Sequence, residues 1–128
     1  MENPGVVIDT SVFIEFLRAK SKAETTLFRI SEEIQLYISA ITLYELHMGA
    51  TNPEKLNDIR ILTDDIPVLS FNESVAKEAG DIYHKLRKSN KMIEFRDIFI
   101  AATALAYNFP VKTLNIKHFN RIPNIRLS

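Results

Sequence analysis

Val6-Val7-Ile8-Asp9-Thr10-Ser11 is an apolar run that stops at an acid and passes at once into two hydroxyl side chains. Consecutive β-branched residues read as a buried strand, and Thr10 or Ser11 can cap a helix running to about Arg18. A similar order recurs twice. The run Leu36-Tyr37-Ile38 precedes a helix that carries Glu45 one turn in, and Asp97 opens the apolar helix Ile98-Phe99-Ile100-Ala101-Ala102. In an open parallel sheet the strand carboxyl ends and the following helix starts share one edge, with ligands bound in the crevice there. Three carboxylates on one crevice repel one another unless a cation lies between them. The pattern therefore points to metal-dependent chemistry.

Outward from these junctions the chain keeps alternating. Ala23–Ser31 reads as helical, Gln35–Ser39 as a strand, and a helix follows that ends near Gly49. Asn52-Pro53 marks a break before a helical stretch over Lys55–Thr63. Ile66–Leu69 reads as a short strand whose proline suits an edge or a first position. Glu73–Lys88 is a long amphipathic helix with Val75, Ala79, Ile82 and Leu86 three or four apart. The nearly uniform apolar character of Asp97–Asn108 suits a central helix. Val111–Leu114 is a further strand, and Ile125–Leu127 a last edge strand after Pro123. Helices alternating with short strands imply a three-layer α/β/α sandwich with a mostly parallel central sheet, formed as one domain over residues 1–128.

Composition narrows the chemistry. The chain has no cysteine, which excludes thiol catalysis, thiolate zinc sites and disulfides, and fits an intracellular, cytoplasmic protein. Lys plus Arg equal Asp plus Glu at 16 each, so net charge leaves no nucleic-acid footprint. The distribution is less even: Lys85, Arg87, Lys88, Lys91 and Arg96 face only Glu94 within residues 85–96. Such a stretch can meet phosphates, or simply be a solvated helix end. No apolar run reaches the length of a membrane span and no signal peptide precedes Val6, so no membrane association is expected.

Each acid also has a plain structural reading. Asp9 can form an Asx-turn or helix cap, Thr42-Leu43-Tyr44-Glu45 fits a capping box, and Asp97 stands where an N-cap is common. Capping, however, accepts Ser, Thr or Asn as readily and does not demand acids at three junctions. An oxygen cluster of this kind suits Mg2+ or Mn2+, which take further ligands from water and phosphate.

Four segments in order resemble the PIN-domain family, most closely VapC-type toxin ribonucleases. They are Val7-Ile8-Asp9-Thr10-Ser11; Ser39 to Gly49, with its Glu45-Leu46-His47-Met48-Gly49; Asp97-Ile98-Phe99-Ile100-Ala101-Ala102-Thr103-Ala104; and Thr113-Leu114-Asn115-Ile116-Lys117-His118-Phe119. The likeness spans the whole chain. It implies Asp9, Glu45 and Asp97 around one or two Mg2+ or Mn2+ ions, supported by Ser11 or Thr10. It also implies RNA as substrate, a cognate antitoxin that blocks the site, and a homodimer. Many members carry a fourth acid where this chain has Asn115. An amide can ligate or hold a water but adds no charge, which puts a second metal in doubt. Glu94 can supply the missing carboxylate, or pair with Arg96 or Lys91 as a surface acid.

The expected reaction is hydrolysis of an RNA phosphodiester by water, giving 5′-phosphate and 3′-hydroxyl ends. Arg18, Lys20, Lys85, Arg87, Lys88 and Arg96 are candidates to hold the RNA backbone. Leu17, Leu27, Phe28 and the aliphatics of residues 55–62 form either core or an apolar groove for an antitoxin helix. His47 and His118 are assigned no catalytic part: His47 does not face Glu45 across two helix positions, and a metal mechanism does not need His118. A phospho-receiver needs an acidic pair at the first strand tip, and an aspartyl-nucleophile phosphatase needs an Asp where Ser11 stands. A PIN fold kept as an RNA-binding or scaffold module is the more serious alternative, favoured by Asn115.

Overall fold

The computed structural model describes residues 4–128. The first three residues, the start of the expected domain and part of the segment ahead of Val6, lie outside it. Four strands, β1 (Gly5–Ile8), β2 (Gln35–Ser39), β3 (Val68–Leu69) and β4 (Val111–Lys112), form one parallel sheet in the order β3-β2-β1-β4. The helices are α1 (Thr10–Arg18), α2 (Ala40–Gly49), α3 (Pro53–Thr63), α4 (Glu73–Lys88), α5 (Phe95–Ala106) and α6 (Ile116–Phe119). Register places Val6 beside Leu36 and Val7 beside Val111.

Strand side chains alternate between faces, and two apolar clusters follow. Val6 and Ile8 pack with Val12 and Phe13 of α1, Ile38 of β2 and Ile59 of α3. Val7 and Val111 face the other way, onto Val75, Ile82 and Leu86 of α4, Ile98 and Ile100 of α5, and Phe119 of α6. This is the expected three-layer sandwich. Gly5 starts β1 where the stacked rings of Tyr37 and Phe109 close in at 4.4 Å between centroids. A Cβ at Gly5 would lie 2.8 Å from an atom of each ring, so any larger residue must push them apart.

The chain leaves β1 into α1 on one face and leaves β4 into α6 on the other. Adjacent strands whose connections diverge in this way open a crevice at their carboxyl ends. Asp9 stands at that point.

Most predicted elements are found close to their expected bounds, and the exceptions have local causes. Ala23–Ser31 is not a helix: only a short 3-10 turn at Lys22–Glu24 forms. Thr25 donates its hydroxyl to the Lys22 carbonyl at 2.6 Å, and Glu15 Oε1 accepts from the Thr26 amide at 2.7 Å. These side-chain bonds compete with helical ones. β3 shrinks to two residues, with the Pro67 carbonyl accepting from the Ile38 amide at 3.1 Å on the sheet edge. The expected last strand reduces to an isolated parallel bridge between Val111 and Leu127. Asn52-Pro53 does mark a break, the one between α2 and α3, but α3 starts there two residues earlier than expected: Asn52 is its cap and Pro53 its first residue. α5 begins at Phe95, so Asp97 lies in its first turn instead of capping it.

Candidate metal centre

Asp9 does cap α1, but its carboxylate is tied more widely than a cap requires. Oδ2 accepts from the Ser11 hydroxyl at 2.6 Å, the Thr113 hydroxyl at 2.9 Å and the Ser11 amide at 3.4 Å. Thr113 follows β4, so this bond joins the two strand tips that flank the crevice. The Leu114 amide in turn donates to Ser11 Oγ at 3.1 Å, and the Asn115 amide to Thr113 Oγ1 at 2.9 Å. All three donors to Asp9 use one oxygen. Its other oxygen is engaged by none of them, and the residue is 2 % exposed.

Glu45 is not part of a capping box. Ser39 caps α2, its hydroxyl oxygen accepting from the Thr42 amide at 3.1 Å. Glu45 Oε1 instead lies 2.8 Å from Thr10 Oγ1, which lies 3.0 Å from Thr42 Oγ1. A hydroxyl has one proton, so Thr10 gives its own to the carboxylate while Thr42 supplies the other. Glu45 Oε2 accepts from Arg96 Nη1 at 3.2 Å, and Arg96 Nη2 reaches Glu94 Oε2 at 2.7 Å. Glu94 is thus the surface partner of Arg96, and both residues line the same cavity as the three expected acids.

That cavity, about 210 Å³, is bounded by Asp9, Thr10 and Ser11 from the β1 tip and Glu45 from α2. Its other walls are Glu94, Arg96 and Asp97 at the start of α5, Asn115 and His118 after β4, and Ile14. A larger concavity of about 840 Å³ lies around Ser31–Leu36, Asp65 and Ile66, at the amino end of β2. It carries none of the clustered acids.

Asp97 is buried, and its carboxyl is pushed above the ordinary carboxylate range, first by desolvation and then by the charge of Asp9. His118 works against that rise: its Nδ1 lies 3.3 Å from Asp97 Oδ2. His118 therefore belongs to the site, contrary to the sequence reading, whereas His47 is exposed on α2. Thr113 was also missed. Its position in the Thr-Leu-Asn segment was the available signal, but a lone Thr after a strand says nothing of its partner. Arg96 is held above its ordinary value by Glu94 and then Glu45.

Donors of this kind fit a hard divalent cation. They are carboxylates, hydroxyls and an amide, with no sulfur, and a cation would favour the charged form of Asp97 that desolvation first and then Asp9 disfavour. As they stand, no three acidic or histidine side chains among the described residues are drawn together as a ready cage. Glu45 is bound to Thr10 and Arg96 instead.

Of the expected RNA-binding residues, only Arg96 reaches the cavity. Arg18 ends α1 beside a groove of about 450 Å³ lined by Ile14, Leu17, Leu46 and Ile59. Lys20 is exposed beyond it. Lys85, Arg87 and Lys88 are exposed on the last turn of α4, where Lys85 already pairs with Asp81 at 2.9 Å. Among the expected groove residues, Leu27 and Ile59 are core, while Phe28 and Ile61 are 62 % and 72 % exposed. No helix among the described residues is long and apolar enough to cross a membrane.

The PIN domain profile matches residues 6–125. A Ribonuclease VapC of Rickettsia bellii is 32 % identical over 130 residues, covering 96 % of this chain and 94 % of that protein. The VapBC-1 structure from nontypeable Haemophilus influenzae aligns with TM-score 0.83 at 30 % identity, over 97 % of this chain and 96 % of its own. A DNA-bound VapBC from Salmonella typhimurium aligns with TM-score 0.87 at 26 % identity, over 98 % and 97 %. With sequence and fold matching over nearly the full length, the chain belongs to the PIN-domain family, in its VapC group.

Proposed function

We propose that the chain is a divalent-metal-dependent endoribonuclease, the toxin of a toxin–antitoxin pair. The observation that carries this is the meeting of Asp9, Glu45 and Asp97 in one cavity at the switch point of the sheet. Relatives covered over 94 % and 87 % of their own length carry the names Ribonuclease VapC and Ribonuclease VapC1. Asp9 and Asp97 would hold Mg2+ or Mn2+ directly, and Glu45 would ligate it or orient water. When bound, the ion supplies Lewis acidity, activating water near neutral pH and neutralising charge at the phosphate.

The chain's own residues do the rest. Ser11 and Thr113 fix the rotamer of Asp9, so its unengaged oxygen is already aimed when substrate arrives. Thr10 anchors Glu45 against α1, and His118 steadies Asp97. Asn115 contributes an uncharged amide at the rim, consistent with one firmly held ion rather than two. Water, not the ribose 2′-hydroxyl, is the nucleophile, so the products carry 5′-phosphate and 3′-hydroxyl ends.

The groove beside Ile14, Leu17, Leu46 and Ile59 has the apolar floor that an amphipathic antitoxin helix requires. Glu45 lines both groove and cavity, so a helix seated there would lie against the site. A homodimer would meet at the exposed aromatic patch of Phe71 and Phe95, with Tyr83 and Phe99 beside it; light scattering measures the stoichiometry.

Asp97→Asn should fold, bind RNA and lose cleavage in Mg2+ or Mn2+ by several orders of magnitude. Unchanged cleavage by the folded, contaminant-free variant would sink the assignment. Asn115 favours one competing reading, a catalytically weak RNA-binding or scaffold module. That reading requires RNA binding without cleavage by the unaltered protein in Mn2+.

A further inference from the structure

We infer that Arg96 is a built-in counter-ion that competes with the divalent cation for Glu45 and Glu94, and exchanges with it when the site loads. The inference rests on the metal-dependent reading above. Four acids line the cavity, namely Asp9, Glu45, Glu94 and Asp97, and Arg96 is the one permanently charged cation among the described residues that line it. Its two terminal nitrogens are shared between two of those acids, 3.2 Å from Glu45 and 2.7 Å from Glu94. With Thr10 on the other oxygen, both oxygens of Glu45 are engaged.

The two ends of the Arg96–Glu45 pair are not equally anchored. The Glu45 side chain is 10 % exposed and fixed through Thr10, while that of Arg96 is 55 % exposed. When the pair opens, the arginine is the partner that moves. A guanidinium does not shed its proton in a protein, so a change of pH does not free Glu45 by neutralising Arg96. A competing cation frees it. A divalent ion, with twice the charge on a compact centre, is such a competitor. Released at the cavity rim, the planar fork of Arg96 is then able to take a phosphate oxygen pair of the substrate. Arg96 is thereby a positioning residue: it holds Glu45 in place without metal and hands it over when metal arrives.

The test uses the full chain and Mn2+ alone as probe, with affinity read from the electron paramagnetic resonance signal of free Mn2+. Arg96→Gln should bind Mn2+ about fivefold more tightly than the unaltered protein, the order set by removing one partly exposed ion pair. Arg96→Lys, which restores the charge without the fork, should return affinity toward that of the unaltered chain. Arg60→Gln removes the same charge from an exposed site on α3, away from the cavity, and should leave Mn2+ affinity unchanged. Affinity in Arg96→Gln that is equal or weaker overturns the exchange, as does an equal gain in Arg60→Gln. If Mn2+ binds the unaltered chain and is lost in Asp97→Asn while Arg96→Gln is unchanged, the exchange falls and the metal site stands. If no form binds Mn2+, both fall together.

Discussion

Asp97, in its proposed role, holds a charge that the fold disfavours. Burial and the nearby charge of Asp9 raise its carboxyl above the ordinary value of 3.8, more than His118 pulls it down. In the unfolded chain the same group titrates near its ordinary pKa. Below that value both states are protonated and Asp97 costs the fold nothing. As pH rises through the raised folded value, the fold must hold an unwelcome charge, and the penalty is complete above it. Asp97→Asn should therefore be more stable than the unaltered protein at pH 7 in divalent-free buffer, with a higher melting temperature. The difference should vanish below about pH 4. Thermal unfolding at both pH values checks this, and a variant that is less stable at pH 7 contradicts it. Stability gained where activity is lost is the usual trade at a functional site.

At the scale of elements, some helix caps only start a helix, while others also reach the site, Asp9 directly and Ser39 through Thr42. Asn72 caps α4, with Oδ1 accepting from the Val75 amide at 3.1 Å, on a helix that does not line the cavity. Ser39 caps α2 and also lies 3.2 Å from Thr42 Oγ1, the hydroxyl that braces Thr10 and through it Glu45. Alanine at either position should cost about 1 kcal/mol in urea unfolding. Only Ser39→Ala should also slow RNA cleavage, by up to about tenfold, because it loosens the support of Glu45, the carboxylate proposed to meet the metal. Equal cleavage by both variants would break the link from cap to site. The capping pattern in the sequence pointed to Thr42 and Glu45, one turn too late. Ser39 was hidden because it closes a strand as well as starting a helix, and period alone does not say where β2 hands over to α2.

For the molecule as a whole, net charge is balanced, so the proposed attraction for RNA rests on its distribution. The basic last turn of α4 leads through residues 89–93 to Glu94, the cap of α5, and to Arg96 and Asp97 in its first turn. Binding of RNA by the cleavage-deficient Asp97→Asn protein should weaken steeply between 50 and 200 mM salt, as phosphate contacts release counter-ions. Neutralising Lys85, Arg87 and Lys88 together should flatten the plot of log affinity against log salt by up to about two to three units. Fluorescence anisotropy measures both. An unchanged slope would leave α4 outside the RNA path.

The succession of strands and helices, and an acid in the first two turns of α2 and α5 and at the cap of α1, were legible in the sequence alone. These are local properties: the periodicity of burial, the apolar runs, and residues that start or stop a helix within a few positions. Even the edge position of β3 was legible in Pro67. The expected third strand-to-helix junction was not found, because α5 follows α4 directly. What only the tertiary structure decided is which groups meet. Thr113 reaches Asp9 across 104 residues, Arg96 reaches Glu45 across 51, and His118 reaches Asp97 across 21. Those meetings depend on β4 lying beside β1, an order set by two apolar faces closing over one sheet. No short-range pattern in the chain records that closure, so the acids and the Thr10 and Ser11 hydroxyls were visible in the sequence, while the Thr113 hydroxyl, the His118 contact and the pairing of Arg96 with Glu45 were not.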